Sequence, residues 1–250
     1  MPRNMSLTPK ISRYHPAQEM DSGPGFTRFE VLVLIAVVTL LASVVLPALA
    51  NNRPRSHRVI CANNLRQIGV ALQIWANDHN DLPPYDTRVA NGGTLAHPLA
   101  PNVWFHFAWI SNELASPRLV FCPSDSGRPA SDFSGNPDSG YLHPNFANRA
   151  TSYFISHFFT SFTGSPQIGD RNVRTDGSSG CYRFLSAPFV RTRPTRPDAG
   201  WTNGMHESAG NLLFSDGRVE QASNERFREA MDQGDDTGAN GASSHLAVPR

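Results

Sequence analysis

Twenty consecutive residues, Val31 to Ala50 (VLVLIAVVTLLASVVLPALA), carry no charge, and a single carboxylate, Glu30, stands at their entrance. At about 1.5 Å per residue, a helix of this length reaches roughly 30 Å, the thickness of a hydrocarbon core. The segment is therefore expected to cross a membrane as a helix, which limits the rest of the fold to what can be built on a single anchor. The flanks distinguish it from a secretory signal, whose shorter apolar region is followed by a small-x-small cleavage site. Here the small residue, Gly25, precedes the apolar run, so a processing site would lie on the cytoplasmic side.

Gly25-Phe26-Thr27-Arg28-Phe29-Glu30 followed by this helix resembles the class III signal of type IV prepilins and type II secretion pseudopilins. The resemblance implies cleavage after Gly25 by a prepilin peptidase, N-methylation of Phe26, and retention of the helix as anchor and assembly surface. It also implies a pilin-like α+β fold, in which a long N-terminal helix packs on a small antiparallel sheet. Pro47 matches a proline that often kinks the family's helix. Arg28 departs from the usual aliphatic residue, and Pro24 and Asp21 stand where family leaders are usually basic.

An ionised carboxylate at the edge of a bilayer is costly unless paired. Glu30 has two readings. It pairs with the free amine of Phe26 on a neighbouring subunit and sets the register between helices, which is the preferred reading, or it snorkels to the headgroups. Counting positive charges does not orient the anchor, because Arg3, Lys10, Arg13 and Arg28 before it face Arg53, Arg55, Arg58 and Arg66 after it. The signal then decides: the N-terminus is expected in the cytoplasm, the anchor in the inner membrane, and the C-terminal head in the periplasm or outside the cell. Met1, Met5 and Met20 all stand as possible starts.

About 200 of the 250 residues follow the anchor, enough for one ordinary domain. Three basic and two acidic residues lie among the first 25, which leaves 19 of each sign and no basic excess to suit nucleic acid. The expected organisation is a leader over 1–25, a membrane and assembly helix over 26–50, an amphipathic continuation over 51–84, an exported α+β head over 85–233, and a disordered tail over 234–250.

Within the continuation, Cys61, Leu65, Ile68, Leu72 and Trp75 recur at helical spacing as one apolar face, and Pro83-Pro84 is expected to stop the helix. Trp104 to Leu114 reads as either helix or strand. Leu119 to Phe121 reads as a short strand and 124–148 as a long surface loop, while 151–159 and 181–190 are strand candidates. Asn211 to Ser215, Asp216-Gly217 and Arg218 to Glu220 predict a hairpin closed by a type I′ turn, with Ser223 capping a last helix that ends near Gln233.

The segment Cys61-Ala-Asn-Asn-Leu-Arg-Gln-Ile-Gly-Val-Ala-Leu, the motif Cys122-Pro-Ser-Asp, and His206 followed after nine residues by Asp216-Gly217 are similar to motifs of a group of large pseudopilin-like proteins. Since Cys61 and Cys122 both belong to these matched motifs, they are the preferred disulfide pair in an oxidising compartment; buried free thiols are the alternative. Cys181 is left over. No Cys-x-x-Cys exists, spacings of this size are not zinc spacings, and no metal ligands are expected among the cysteines.

His206 and Asp216 read either as a metal or acid–base pair or, preferably, as structural groups, with Asp216 making the turn and His206 ordering a loop. Major pseudopilins often bind calcium, for which Asp78, Asn80, Asp81 and Asp86, or Asp125, Asp132 and Asp138, are the candidate ligands. Neither run fits an EF-hand, and solvated loops are the preferred reading. No Gly-x-Ser-x-Gly, phosphate-binding glycine loop or His-Glu-x-x-His is present, so no enzyme motif supports catalysis.

The function these features suggest is that of a subunit of a pseudopilus or type IV-like filament, partnered by prepilin peptidase, other pseudopilins and the assembly machinery. The alternative is a membrane-anchored binder of a ligand or polysaccharide that does not polymerise.

Overall fold

The computed structural model describes residues 26–50, 53–157, 164–174, 190–192, 199–233 and 244–249. The chain divides into two units, Met1–Ala50 and Asn51–Arg250. Gly25 and the rest of the leader lie outside the described residues, as do 51–52, so the expected continuity of the two helices is not described.

In the first unit, α1 spans Arg28–Ala50. Thr27 is its N-cap. The Thr27 amide donates to Glu30 Oε2 at 2.8 Å and the Glu30 amide to Thr27 Oγ1 at 3.3 Å, a capping box that satisfies two donors reciprocally. The two hydroxyls of the apolar run are also satisfied inside the helix: Thr39 Oγ1 bonds the carbonyls of Ile35 and Ala36, and Ser43 Oγ that of Leu40. Internal satisfaction of polar groups is what a hydrocarbon environment demands. The large apolar side chains from Val31 to Leu46 are all exposed, and the helix is long and apolar enough to span a membrane.

In the second unit, α2 (Arg53–Asn77) buries the expected stripe of Cys61, Leu65, Ile68, Leu72 and Trp75, none more than 7% exposed. The helix ends before the prolines. Asn80 and Asp81 both take left-handed backbone, and the Asp81 amide bonds back to the Ala76 carbonyl at 3.0 Å, so a polar left-handed cap stops the helix ahead of Pro83. The segment Trp104 to Leu114 is helical, as α3 (Val103–Trp109) and α4 (Ser111–Leu114). Leu119 to Phe121 does not form a strand. Pro117–Val120 is a 3-10 turn, started by Pro117 and capped by Ser116, whose Oγ accepts from the Arg118 amide.

The strands are β1 (Tyr153–His157), β2 (Pro166–Asp170), β3 (Val173–Arg174), β4 (Val190–Thr192), β5 (Gly200–Trp201), β6 (Gly210–Phe214), β7 (Val219–Ala222) and, after α5 (Asn224–Gln233), β8 (Ser244–Ala247). Six form an antiparallel sheet in the order β4-β8-β1-β2-β6-β7, and β3 pairs with β5 apart from it. The architecture is thus α+β. Strand β8 corrects the expectation of a disordered tail at Ser244–Ala247, where it lies between β4 and β1 with Leu246 fully buried; 234–243 lie outside the described residues. Of the candidate strand 181–190, only Val190 is among the described residues.

Helices cover both faces of the sheet, so successive strand residues feed opposite cores. Tyr153, Ile155 and Leu213 join the cluster under α2, while Phe154, Leu212, Phe214 and Leu246 join Trp201, Phe227 and Met231 under α5. Gly69 lets α2 approach the sheet, because a Cβ there would stand 2.9 Å from Leu213 Cδ1. Ser223 Oγ accepts from the Arg226 amide and caps α5.

The β6–β7 hairpin stands where expected, but its turn is of another type. Leu213 pairs with Val219, the Gly217 amide bonds the Phe214 carbonyl, and the Phe214 amide bonds the Arg218 carbonyl, which leaves a three-residue loop. Of the Asp216-Gly217 pair only Gly217 has positive φ (+82°), the pattern of a type I turn closed by a glycine bulge rather than type I′. Asp216 Oδ1 accepts from the Arg218 amide at 3.0 Å. A Cβ at Gly217 would meet nothing within 4 Å, so substitution carries a purely conformational cost. We expect Gly217→Val to destabilise the 51–250 unit by about 1–2 kcal/mol and Asp216→Asn by less than about 0.5 kcal/mol, since the amide oxygen keeps the same acceptor. Thermal unfolding of the two variants checks the ranking.

Candidate functional site

Behind α2 the fold gathers polar side chains that sequence spacing keeps far apart. Strand β2 ends in Asp170, which is fully buried; its Oδ2 accepts from the Asn211 amide at 2.7 Å and from Asn211 Nδ2 at 3.0 Å. His206 Nε2 lies 3.7 Å from the same oxygen and 3.3 Å from Cys122 Sγ. Cys122 is joined to Cys61 of α2 in a disulfide with a Cα separation of 5.2 Å, so the bridge staples the helix beside the imidazole. Arg58, one turn earlier on α2, reaches the carbonyls of Gly210 and Ala222 with Nη2.

The local backbone explains how His206 gets there. His206, Glu207 and Ser208 take φ values of 52°, 54° and 61°, a single left-handed turn of three non-glycine residues. Such a residue costs about 1–2 kcal/mol, so the turn must be held from outside. Asn172 Nδ2 donates to the carbonyls of Thr202 at 2.9 Å and Met205 at 3.0 Å, Ser208 Oγ bonds Asn203, and Trp201 Nε1 donates to the Asp170 carbonyl. These contacts fix the turn's entrance and press its first side chain inward.

Burial governs the electrostatics. It pushes the Asp170 carboxyl up to about 7, against the opposing pull of the Asn211 donors and the Arg58 charge. It pushes His206 down to about 4, helped by the nearby Arg58 and His57 side chains. Both groups are thus driven toward their neutral forms. Asp170 Oδ1, His206 Nδ1, Asn211 Oδ1 and Arg58 Nε have no hydrogen-bond partner among the described residues. With both the His206 and Asp170 side chains fully shielded, the closed arrangement orients groups against one another and offers no face to an outside substrate.

The residues singled out from the sequence separate into three places. Phe26 and Glu30 stand at the start of α1, with Glu30 engaged by Thr27. Cys61, Cys122 and His206 come together. Asp216 and Gly217 are not in that group: Asp216 bonds the Arg218 amide and guanidinium at the hairpin tip, and the carboxylate facing His206 is Asp170. The hairpin instead borders a groove on α2 lined by Arg66, Gln73 and Gln167.

Among the described residues, the one group of three or more convergent His, Cys, Asp or Glu side chains is Cys61, Cys122 and His206, the two cysteines being joined in the disulfide; the aspartates of 78–86 and 125–138 form no such group. Nor is Asp125 solvated: it is nearly buried and paired with Arg171 at 2.7 Å. Cys181 lies outside the described residues.

Asp170, Asn211 and Arg58 were missed from the sequence. The available signal was a polar residue inside an otherwise apolar strand, Asn211 in Gly210–Phe214, and a carboxylate closing Ile168-Gly169-Asp170. Comparison with family models, curated proteins and solved structures finds no match to this chain.

Two expectations follow from the site. The bridge closes a loop between positions separated by 61 residues, so Cys61→Ser should lower stability by about 2–4 kcal/mol in denaturant unfolding of the oxidised 51–250 unit. The second concerns pH. Between its ordinary 3.8 and about 7, folded Asp170 holds a proton that the unfolded chain has released, so its contribution to stability falls as pH rises. Between about 4 and the ordinary 6.5, the unfolded chain holds a proton on His206 that the folded chain lacks, so that contribution grows as pH rises. The two oppose each other. Asp170→Asn should uncover a rise and His206→Gln a fall, each up to about 1.4 kcal/mol per pH unit, read from unfolding free energies across pH 4 to pH 7.

Proposed function

We propose that the chain is a prepilin-type inner-membrane protein with a pilin-like fold, cleaved after Gly25 and methylated at Phe26, that serves as a subunit of a pseudopilus or type IV-like filament. The observation that carries this reading is α1 together with its entrance: a helix uncharged from Val31 to Ala50, with its large apolar side chains exposed from Val31 to Leu46, that opens on Gly25-Phe26-Thr27-Arg28-Phe29-Glu30. Such a surface suits lipid before assembly and like helices after it. The capping box adds a reason for Glu30 to be tolerated at a bilayer edge, since its carboxylate accepts the Thr27 amide, one residue from the amine that cleavage would free. That amine on a neighbouring subunit is the counter-charge that would align the helices. The Cys61–Cys122 bridge accords with a head on the oxidising side of the membrane. In this reading the work is mechanical rather than catalytic, its partners being prepilin peptidase, other pseudopilins and the assembly machinery.

Capping and pairing are separable by mutation. Glu30→Gln keeps a capping acceptor, because glutamine serves in the box, but removes the charge. We expect the variant to insert, and intact-mass analysis to find Phe26 methylated at its terminus, while whole-cell cross-linking shows a much shorter ladder of oligomers than the parent chain. A variant ladder as long as the parent's would refute the pairing. Parent chains that cross-link only as monomers would favour the anchored binder of a ligand or polysaccharide.

A further inference from the structure

The turn that presses His206 inward ends at Ser208, which stands on the wall of a cavity of about 240 Å³ in the head. The lining is polar and one-sided in charge. Arg174 and Arg228 both belong to it, and no aspartate or glutamate among the described residues does. The two arginines come from different elements and meet at Gly200. Arg174 lies opposite Gly200 in the β3–β5 ladder, while Arg228 of α5 donates from Nη1 to the carbonyl of the preceding Ala199 at 3.2 Å. Like charges gathered on one cavity repel, at a cost that an anion between them removes. The contrast with the rest of the head is plain. Arg171, Arg218 and Arg226 each have a carboxylate within 3.3 Å, whereas among the described residues no carboxylate pairs with the exposed Arg174.

The neutral part of the lining is arranged in advance. Trp201 is buried, and Asn224 holds both of its backbone groups: Oδ1 accepts from the Trp201 amide at 2.7 Å and Nδ2 donates to the Trp201 carbonyl at 3.3 Å. Asn203 Oδ1 accepts from Ser208 Oγ, so the group this amide has left to offer is its Nδ2 donor. The turn that supplies Ser208 runs through three successive non-glycine residues of positive φ, a form of strain that gathers at ligand clamps.

We propose that this cavity binds a tetrahedral oxyanion, a phosphate or sulfate group, between the Arg174 and Arg228 guanidiniums, with Asn203 Nδ2 as a neutral donor. A guanidinium presents paired N–H donors in one plane, which suits two oxygens of such a group. Two forks from different elements call for oxygens that face more than one way, which a tetrahedral group has and a planar carboxylate lacks. The shared chemistry serves a free ion or the end of a monoester equally. Binding there is independent of whether the chain polymerises.

The test uses the full chain in detergent, dialysed free of phosphate and sulfate and titrated calorimetrically with sodium phosphate, sodium sulfate and glucose 6-phosphate, with sodium chloride holding the ionic strength constant. We expect one saturable equivalent with a Kd of about 1 mM or tighter. Arg174→Gln and Arg228→Gln should each weaken it at least about tenfold, while Arg118→Gln, an exposed arginine outside the cavity, should leave it unchanged. Arg228 also holds the Ala199 carbonyl, so its variant tests folding as well as binding; Arg174 holds no other group in place among the described residues, and its variant should melt with the parent chain and decide the matter. Glucose 6-phosphate binding more tightly than phosphate would support the site and identify its ligand as the end of a larger molecule, and the reverse order would support it with the free ion as ligand. Absence of saturable binding up to about 10 mM, an unchanged Kd in Arg174→Gln, or an equal loss in Arg118→Gln would each overturn the proposal.

Discussion

The head depends on the seating of α2 against the middle of the sheet. The helix brings a continuous apolar stripe, Cys61 to Trp75, to strands whose facing residues are Tyr153, Ile155, Ile168 and Leu213, and it is pinned there by a bridge to Cys122. Burying that stripe helps to offset the conformational entropy of ordering the strands, because apolar area removed from water is the dominant favourable contribution to folding. Close approach is a condition of it. A Cβ at position 69 would stand 2.9 Å from Leu213 Cδ1, so any side chain there would require the Leu213 side chain or α2 to shift.

What was legible in the sequence follows from this arrangement. The stripe has helical period and the α2 position could be read from it, just as Asp216-Gly217 between Asn211–Ser215 and Arg218–Glu220 located the hairpin. The turn type was not legible, because it is set by register: with Leu213 opposite Val219 and the Phe214 amide bonded to the Arg218 carbonyl, three residues close the loop, and two positive φ angles are then unnecessary. Strand β8 was hidden for another reason. Four residues with one leucine carry no period of their own, and their burial is supplied by β1 and β4 on either side. Glu30 shows the converse. Thr27 and Glu30 spell a capping box in plain sequence, a local role that a charge beside a run long and apolar enough to span a membrane obscures.

The candidate site was the least legible part. Cys61, Cys122 and His206 belong to motifs visible in the sequence, whereas Asp170, which faces the histidine, stands in no motif and is defined only by where β2 ends. Sheet alternation sends strand side chains to one core or the other, and a carboxylate at such a position is expected to be lost to apolar residues unless something requires it. The Asn211 donors meet that requirement in part: they satisfy one carboxylate oxygen and leave the other without a partner among the described residues.

The two units answer one physical demand in opposite ways. Polar groups removed from water need partners, and α1 provides them entirely from within a turn: Thr39 and Ser43 bond carbonyls three or four residues back, and Glu30 bonds Thr27. A helix so arranged can leave one apolar environment for another without breaking a hydrogen bond, the property that transfer from bilayer to a bundle of like helices would use. The head provides its partners across the chain, from Asp170 to Asn211 and from Asn172 to the turn before His206. Those bonds exist only when the whole fold is in place. A left-handed turn held by them is therefore a consequence of completed packing, and the chemistry of the sulfur and imidazole atoms it brings together belongs to the folded head alone.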